Sequence, residues 1–248
     1  MARPLPVLAL LAATALPWRL GAQAFEGTLR MRTVTIDATP LLEQYGNDPE
    51  RLIAAPWERI LAVARDAGAQ VEDDTTLYHI KGSRLRMSGG GMTDSSYMVT
   101  DHQTGTMMIV QPEQRSYMEW TRADMQQMME EMRAMAPDSG ETGPAELEPL
   151  GTTRDVRGRR CAEYKLADEQ SITIACVTRD LAALATLFQK LGETMMDPTG
   201  EEGRNQLTEL TRHGFPLLVR ELTTEGDEQT RSAVYEINEL VSMDRGAL

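Results

Sequence analysis

The chain predicts an α+β fold built on a mainly antiparallel sheet, and three observations carry that prediction. Short alternating segments separated by Gly, Pro and Asp turns fill residues 75–120. A second group of such segments runs from Gly151 to Thr178 and closes with two longer ones after Gly214. Helical periodicity is confined to stretches beside and between these groups, the arrangement that segregates helices from a sheet.

Taken in order, Phe25 to Arg32 alternates apolar or small with polar residues and reads as a strand with one wet face. The alternation changes phase at Val34 and Ile36, which predicts a bulge or a strand end there. Residues 37–74 read as a helical insertion. Asp48 and Pro49 form an N-cap and first position, Leu52, Ile53, Ile60, Leu61 and Ala64 recur at helical spacing, and Pro56 breaks or kinks the run. Strands then follow at Thr75 to Lys81, Arg84 to Ser88, Ser96 to Thr100, Thr106 to Gln111 and Ser116 to Trp120. The three glycines at 89–91 belong to a hairpin turn, since no Lys-Ser/Thr follows them as a phosphate loop would require.

Thr121 to Ala136 is the next helix, with Thr121 and Asp124 as a capping pair. Residues 137–149 form an acidic Pro/Gly linker expected to be disordered. Strands resume at Gly151 to Val156, and the helix carrying Leu181, Leu184, Leu187, Phe188 and Leu191 is capped by Asp180. A loop from Gly192 to Gly203 and a short helix from Asn205 to Arg212 precede the last strands, Phe215 to Thr223 and Gln229 to Leu240.

Arg3, the apolar run Leu5 to Leu16 and Ala22-Gln23-Ala24 read as a cleavable secretory signal over residues 1–24, cut after Ala24. The expected mature chain is then a single domain over residues 25–248, periplasmic or secreted, with no segment long enough to span a bilayer as a helix. Its charge is −13 for the whole sequence and −15 once Arg3 and Arg19 leave with the leader. So acidic a chain is an improbable partner for nucleic acid, which needs a concentrated basic face.

Two cysteines in an exported protein raise the question of a bridge. If Asp168 and Glu169 are the two turn residues of a hairpin, its register puts Cys161 directly opposite Cys176, within bridging distance. The alternative is two buried free thiols.

Eleven of the sixteen methionines lie between Met87 and Met135. On a helical wheel Met125, Met128, Met129, Met132 and Met135 fall within an arc of about 120°, so one helix presents a thioether stripe. Three uses are open to it: packing the helix on a sheet, lining a pocket for a flexible apolar ligand, or holding copper(I). His79, His102 and His213 are isolated from one another and read as turn, cap or surface residues. With no HExxH, GxSxG or SxxK, the sequence nominates no metal ligands, no cofactor and no catalytic set.

Several segments together resemble a family. Phe25-Glu26-Gly27-Thr28, Ser83 to Met87, Tyr97 to Asp101 running on to Thr106 to Val110, and Gln114 to Glu119 are similar to the exported bacterial family called domain of unknown function 4412. So are Gly158 to Tyr164, Val177 to Leu181, Gly214 to Leu217 and the strand through Tyr235-Glu236-Ile237. The resemblance implies a fold similar to periplasmic lipoprotein carriers: a curved antiparallel sheet, an open half-barrel, with helices packed on its concave face and the Met stripe toward the cavity. It implies no activity, because the family has none established. The function expected is non-enzymatic binding of a hydrophobic small molecule or lipid, or of an amphipathic partner. Copper(I) handling and a structural envelope role with a filled core are the alternatives.

Overall fold

Two antiparallel meanders, one before residue 121 and one after residue 147, are joined edge to edge by the N-terminal strand. The computed structural model describes residues 25–93, 95–135, 147–168, 170–195, 206–226 and 232–245. The strands are β1 (Gly27–Asp37), β2 (Val71–Lys81), β3 (Arg84–Gly89), β4 (Tyr97–Asp101), β5 (Thr106–Gln111), β6 (Ser116–Trp120), β7 (Glu148–Val156), β8 (Arg159–Ala167), β9 (Ser171–Thr178), β10 (Phe215–Glu225) and β11 (Ser232–Arg245). The helices are α1 (Thr39–Gln44), α2 (Pro49–Ala54), α3 (Trp57–Asp66), α4 (Arg122–Met135), α5 (Ala182–Met195) and α6 (Gln206–His213). All eleven strands make one antiparallel sheet in the order β6-β5-β4-β3-β2-β1-β11-β10-β9-β8-β7. The outermost strands β6 and β7 are not joined, so the sheet is not closed.

Local chemistry accounts for most boundaries. The Asp48 carboxylate accepts from the backbone N–H groups of Glu50 and Arg51 at 3.0 and 3.3 Å, starting α2. Pro56 separates α2 from α3 as expected. Thr121 and Asp124 cap α4 reciprocally: Asp124 N donates to Thr121 Oγ at 3.3 Å and Thr121 N to the Asp124 carboxylate at 2.7 Å.

Other expectations need correction. β2 begins at Val71, four residues before the expected Thr75, because Glu72 to Asp74 pair with β1 and Asp73 takes a bidentate contact from Arg32 at 2.6 and 2.8 Å. A polar run there reads as loop when its partner strand is out of sight. The irregularity expected at Val34 lies earlier, between Arg30 and Met31 against β11, and β1 continues to Asp37. The change of phase has another cause: Leu29 is buried on one face of the strand, Val34 and Ile36 on the other. The expected linker ends sooner, since Glu148 and Pro149 open β7; its residues up to 146, like the leader at 1–24, lie outside the described residues. Helix α5 starts at Ala182, and the Leu181 carbonyl, not an Asp180 cap, receives the first helical N–H groups.

Cys161 and Cys176 form the expected disulfide, with Cα atoms 5.3 Å apart. Its register differs from the expectation. The hairpin closes on Asp168 and Ser171, and Cys176 faces Glu163, so the bridge runs diagonally. Asp168 fixes this register by accepting from Gln170 N at 2.9 Å and from Ser171 N at 2.7 Å.

Adjacent residues of β10 show how the helices divide. Val219 packs with Leu210 of α6 together with Leu166, Ala175 and Val177. Arg220, next along the strand, points through the other face, where Nη1 donates to the backbone oxygens of Ile53 and Ala55 at 3.1 and 3.3 Å. Helices α5 and α6 therefore cover one face and α1 to α3 the other, where a single concave-face layer was expected. The insertion sits under Arg220, over a core that includes Val34, Ile36, Leu52, Ile53, Ile60, Tyr235 and Ile237.

Candidate functional site

On the α5/α6 face the strand register places side chains of five neighbouring strands around one cleft of about 570 Å³. Its apolar wall comes from Met31 of β1, Tyr78 of β2, Phe188 of α5, Leu210 of α6, and Phe215 and Val219 of β10. Phe188 holds the wall together, meeting Tyr78 edge-on at 5.7 Å and Phe215 edge-on at 5.4 Å between ring centroids. Gly214 lets the chain pass from α6 into β10 at φ +144°, where a Cβ would lie 2.3 Å from the Thr178 carbonyl oxygen.

Opposite this wall the cleft is polar. Glu221 of β10 and Glu236 of β11 are directly paired across the two strands, and Thr173 of β9 pairs with Glu221 on its other side. Thr33 Oγ1 donates to Asn238 Oδ1 at 2.7 Å, and Asn238 Nδ2 donates to Glu236 Oε1 at 2.5 Å. Burial first, then the facing Glu236 and the charge of Asp168, push the Glu221 carboxyl above the ordinary carboxylate range. Burial likewise raises the Tyr78 phenol. A mainly apolar concavity with a few convergent polar groups is the usual form of a small-molecule site, and this one falls within the usual size range.

Of the helical stripe expected to line a cavity, two methionines are among the described side chains. Met125 is buried and Met128 is exposed; neither lines the cleft, and the side chains of Met129, Met132 and Met135 lie outside the described residues. Met31 does line it, and other sheet methionines extend from it. Directly opposed partners set Leu29, Tyr78, Met87, Met98, Ile109 and Met118 in one row from β1 to β6, on the face of the cleft. A neighbouring row runs Ile80, Leu85, Thr100, Met107 and Trp120.

Each histidine is held locally. His79 shares a hydrogen bond with Thr28 Oγ1 at 3.1 Å, His102 Nδ1 meets the Ser83 carbonyl at 2.9 Å, and His213 lies tilted against Tyr164 with centroids 5.2 Å apart. Burial and then the charge of Lys190 lower the His102 pKa, with Asp101 opposing. Among the described residues no group of three or more His, Cys, Asp or Glu is placed to hold a metal ion, and no helix is long and apolar enough to cross a membrane.

Sequence reasoning missed Glu221 and Glu236. The available signal was a glutamate inside each of the last two strand segments, Glu221 in Arg220-Glu221-Leu222 and Glu236 between the apolar Tyr235 and Ile237. Without the register between the strands, nothing brings the two together.

No curated protein matches the chain. The family model that does match covers residues 67–244, beginning after α3 and so leaving β1, the strand between the two meanders, in front of it. With that match spanning well over half of its length, the chain belongs to the family described as Domain of unknown function (DUF4412).

Proposed function

We propose that this is an exported, non-enzymatic protein that holds a hydrophobic ligand, an acyl chain or similar apolar body, between its sheet and helices α5 and α6. In this reading the open sheet curves as a half-barrel of the lipoprotein-carrier kind, and the cleft opens on its inner side. The observation that carries the proposal is the cleft of about 570 Å³ with its aromatic and aliphatic wall. The row of Met87, Met98, Ile109 and Met118 adjoining it through Tyr78 supports the proposal, because unbranched thioether side chains can re-pack along ligands of variable shape. Export rests on the leader read at residues 1–24.

The test is titration of the mature protein with the neutral apolar dye N-phenyl-1-naphthylamine. Saturable binding at one site is expected, weakened at least about tenfold by Met31→Trp, which fills the cleft from β1. Non-saturable binding, or the same affinity in the filled variant with its thermal transition intact, would overturn the proposal.

A further inference from the structure

Elsewhere in this sheet, strand carboxylates from exposed to buried are matched with cations. Asp73 has Arg32 at 2.6 Å, Glu239 has Arg157 at 2.9 Å, and Glu163 has Arg154 and Arg220 at 3.4 and 3.7 Å. The cleft breaks this pattern. Glu221 and Glu236 face each other across adjacent strands, and among the described residues neither forms an ion pair and no Lys or Arg side chain lines the cavity. Two carboxylates beside an apolar wall, in a site with less water than the surface, form a pair of like charges whose natural complement is a cation from outside.

The opposite wall favours the same sign. Tyr78, Phe188 and Phe215 present ring faces and edges around the cavity, and the negative face of an aromatic ring attracts an ammonium group. The net charge of −13 draws cations toward the protein and repels anionic amphiphiles. A molecule matching these features has one positively charged nitrogen and an apolar body that lies on Phe188 and Phe215. Its tail can continue past Tyr78 along Met87 and Met98, which share the cleft's face.

Building on the ligand-holding function proposed above, we infer that the cleft selects cationic amphiphiles, seating an ammonium group between Glu221 and Glu236 and an alkyl or aryl body against the aromatic wall. Fatty acids of the same length are excluded by charge, and neutral alcohols gain only the apolar contacts.

The experiment is competition against N-phenyl-1-naphthylamine on the mature chain at pH 7 and fixed ionic strength, with dodecylamine, dodecanol and dodecanoate below their aggregation limits. Dodecylamine is expected to displace the dye at a concentration about tenfold lower than dodecanol, with dodecanoate weakest. In the double variant Glu221→Gln, Glu236→Gln, with each competitor referred to the dye's own affinity for that variant, the amine and the alcohol are expected to compete within about twofold of each other. The variant removes like-charge repulsion, so it should fold at least as well; a thermal scan confirms this before titration. Equal displacement by amine and alcohol in the wild type, or a preference for the amine that survives the double substitution, overturns the inference and leaves the ligand-holding function standing. Failure of the dye to bind at all overturns both.

Discussion

The strands around β1 and the strands from β4 to β6 are hydrogen-bonded into the same sheet, yet they live in different surroundings. In β9 seven of eight residues are buried, and β1 buries side chains on both faces. In β6 four of five residues are exposed, and no residue of β5 is fully buried. Helices account for the contrast: α5 and α6 on one face and α1 to α3 on the other enclose β1, β11, β10 and β9, while among the described residues the wing from β4 to β6 has no such double cover. Backbone pairing alone does not make a core. Fold stability concentrates where the helices are, and the wing is left with partly wet methionines and an edge strand exposing Tyr117 at 63% and Met118 at 48%.

Arginine substitutions test this division most severely. Arg220 is buried, gives hydrogen bonds to the backbone oxygens of Ile53 and Ala55, and lies 3.7 Å from Glu163. Arg220→Ala leaves two carbonyls without their donor and takes one of two cations from the shielded Glu163, which should cost about 4 kcal/mol. Arg84, at the start of β3 on the border of the wing, makes an ion pair with Asp101 of β4 at 3.3 Å, but its own side chain is 74% exposed. Arg84→Ala should cost no more than about 0.5 kcal/mol. Urea unfolding of the two variants measures the difference; equal losses would mean that the wing is as deeply integrated as the covered half.

The same division explains what could be read from the sequence. Strand positions between β3 and β6 were legible because Gly, Pro and Asp turns bound them and each pairs with its neighbour in sequence. Asp48, Pro56, Thr121 and Asp124 announced their helix ends because capping chemistry is local. Glu72 to Asp74 did not read as strand, since their partners in β1 are about forty residues away and the stretch carries no apolar alternation. The double-sided burial of β1 looked like a defect in alternation for the same reason. The disulfide was found through a turn placed one residue early, because the Asp168 side chain decides where the hairpin closes. The cleft was out of reach altogether: Glu221 and Glu236 come from separate strands whose register sequence periodicity does not fix.

Alkaline titration probes the covered half more gently. Tyr235 is wholly buried, and its hydroxyl has no hydrogen-bond partner among the described residues. Burial pushes its pKa up to about 12; the nearby charge of Arg220 lowers it only in part. The folded state therefore keeps this proton over a range where the unfolded chain, with a phenol near the ordinary 10, releases it. The stabilisation is complete below pH 10 and is lost as pH rises toward 12, a fall of about 3 kcal/mol. Tyr235→Phe should remove that share of the slope while leaving the smaller one from Tyr78, whose phenol is also raised. At neutral pH the variant should be as stable as the wild type or slightly more so, since it deletes an unpartnered polar atom. An unchanged alkaline slope would place the titrating group elsewhere.

A pair of apolar truncations, one in the covered half and one in the wing, separates the two regions with the chemistry held nearly constant. Ile36 and Met98 are both apolar strand residues flanked by strands on either side, but Ile36 is fully buried between β1 and the insertion helices whereas Met98 is only partly covered. Ile36→Ala should cost about 3 kcal/mol, the transfer term plus an unrelaxed cavity. Met98→Ala should cost about 1 kcal/mol, because part of its thioether is already in water and the flexible Met87 can shift into the space. If Met98→Ala leaves stability nearly untouched while weakening dodecylamine displacement of the dye relative to a shorter amine, the methionine row serves the ligand's tail. A loss as large as that of Ile36→Ala would instead make the row part of the core, and the boundary between the two halves of the sheet would have to move outward to β4.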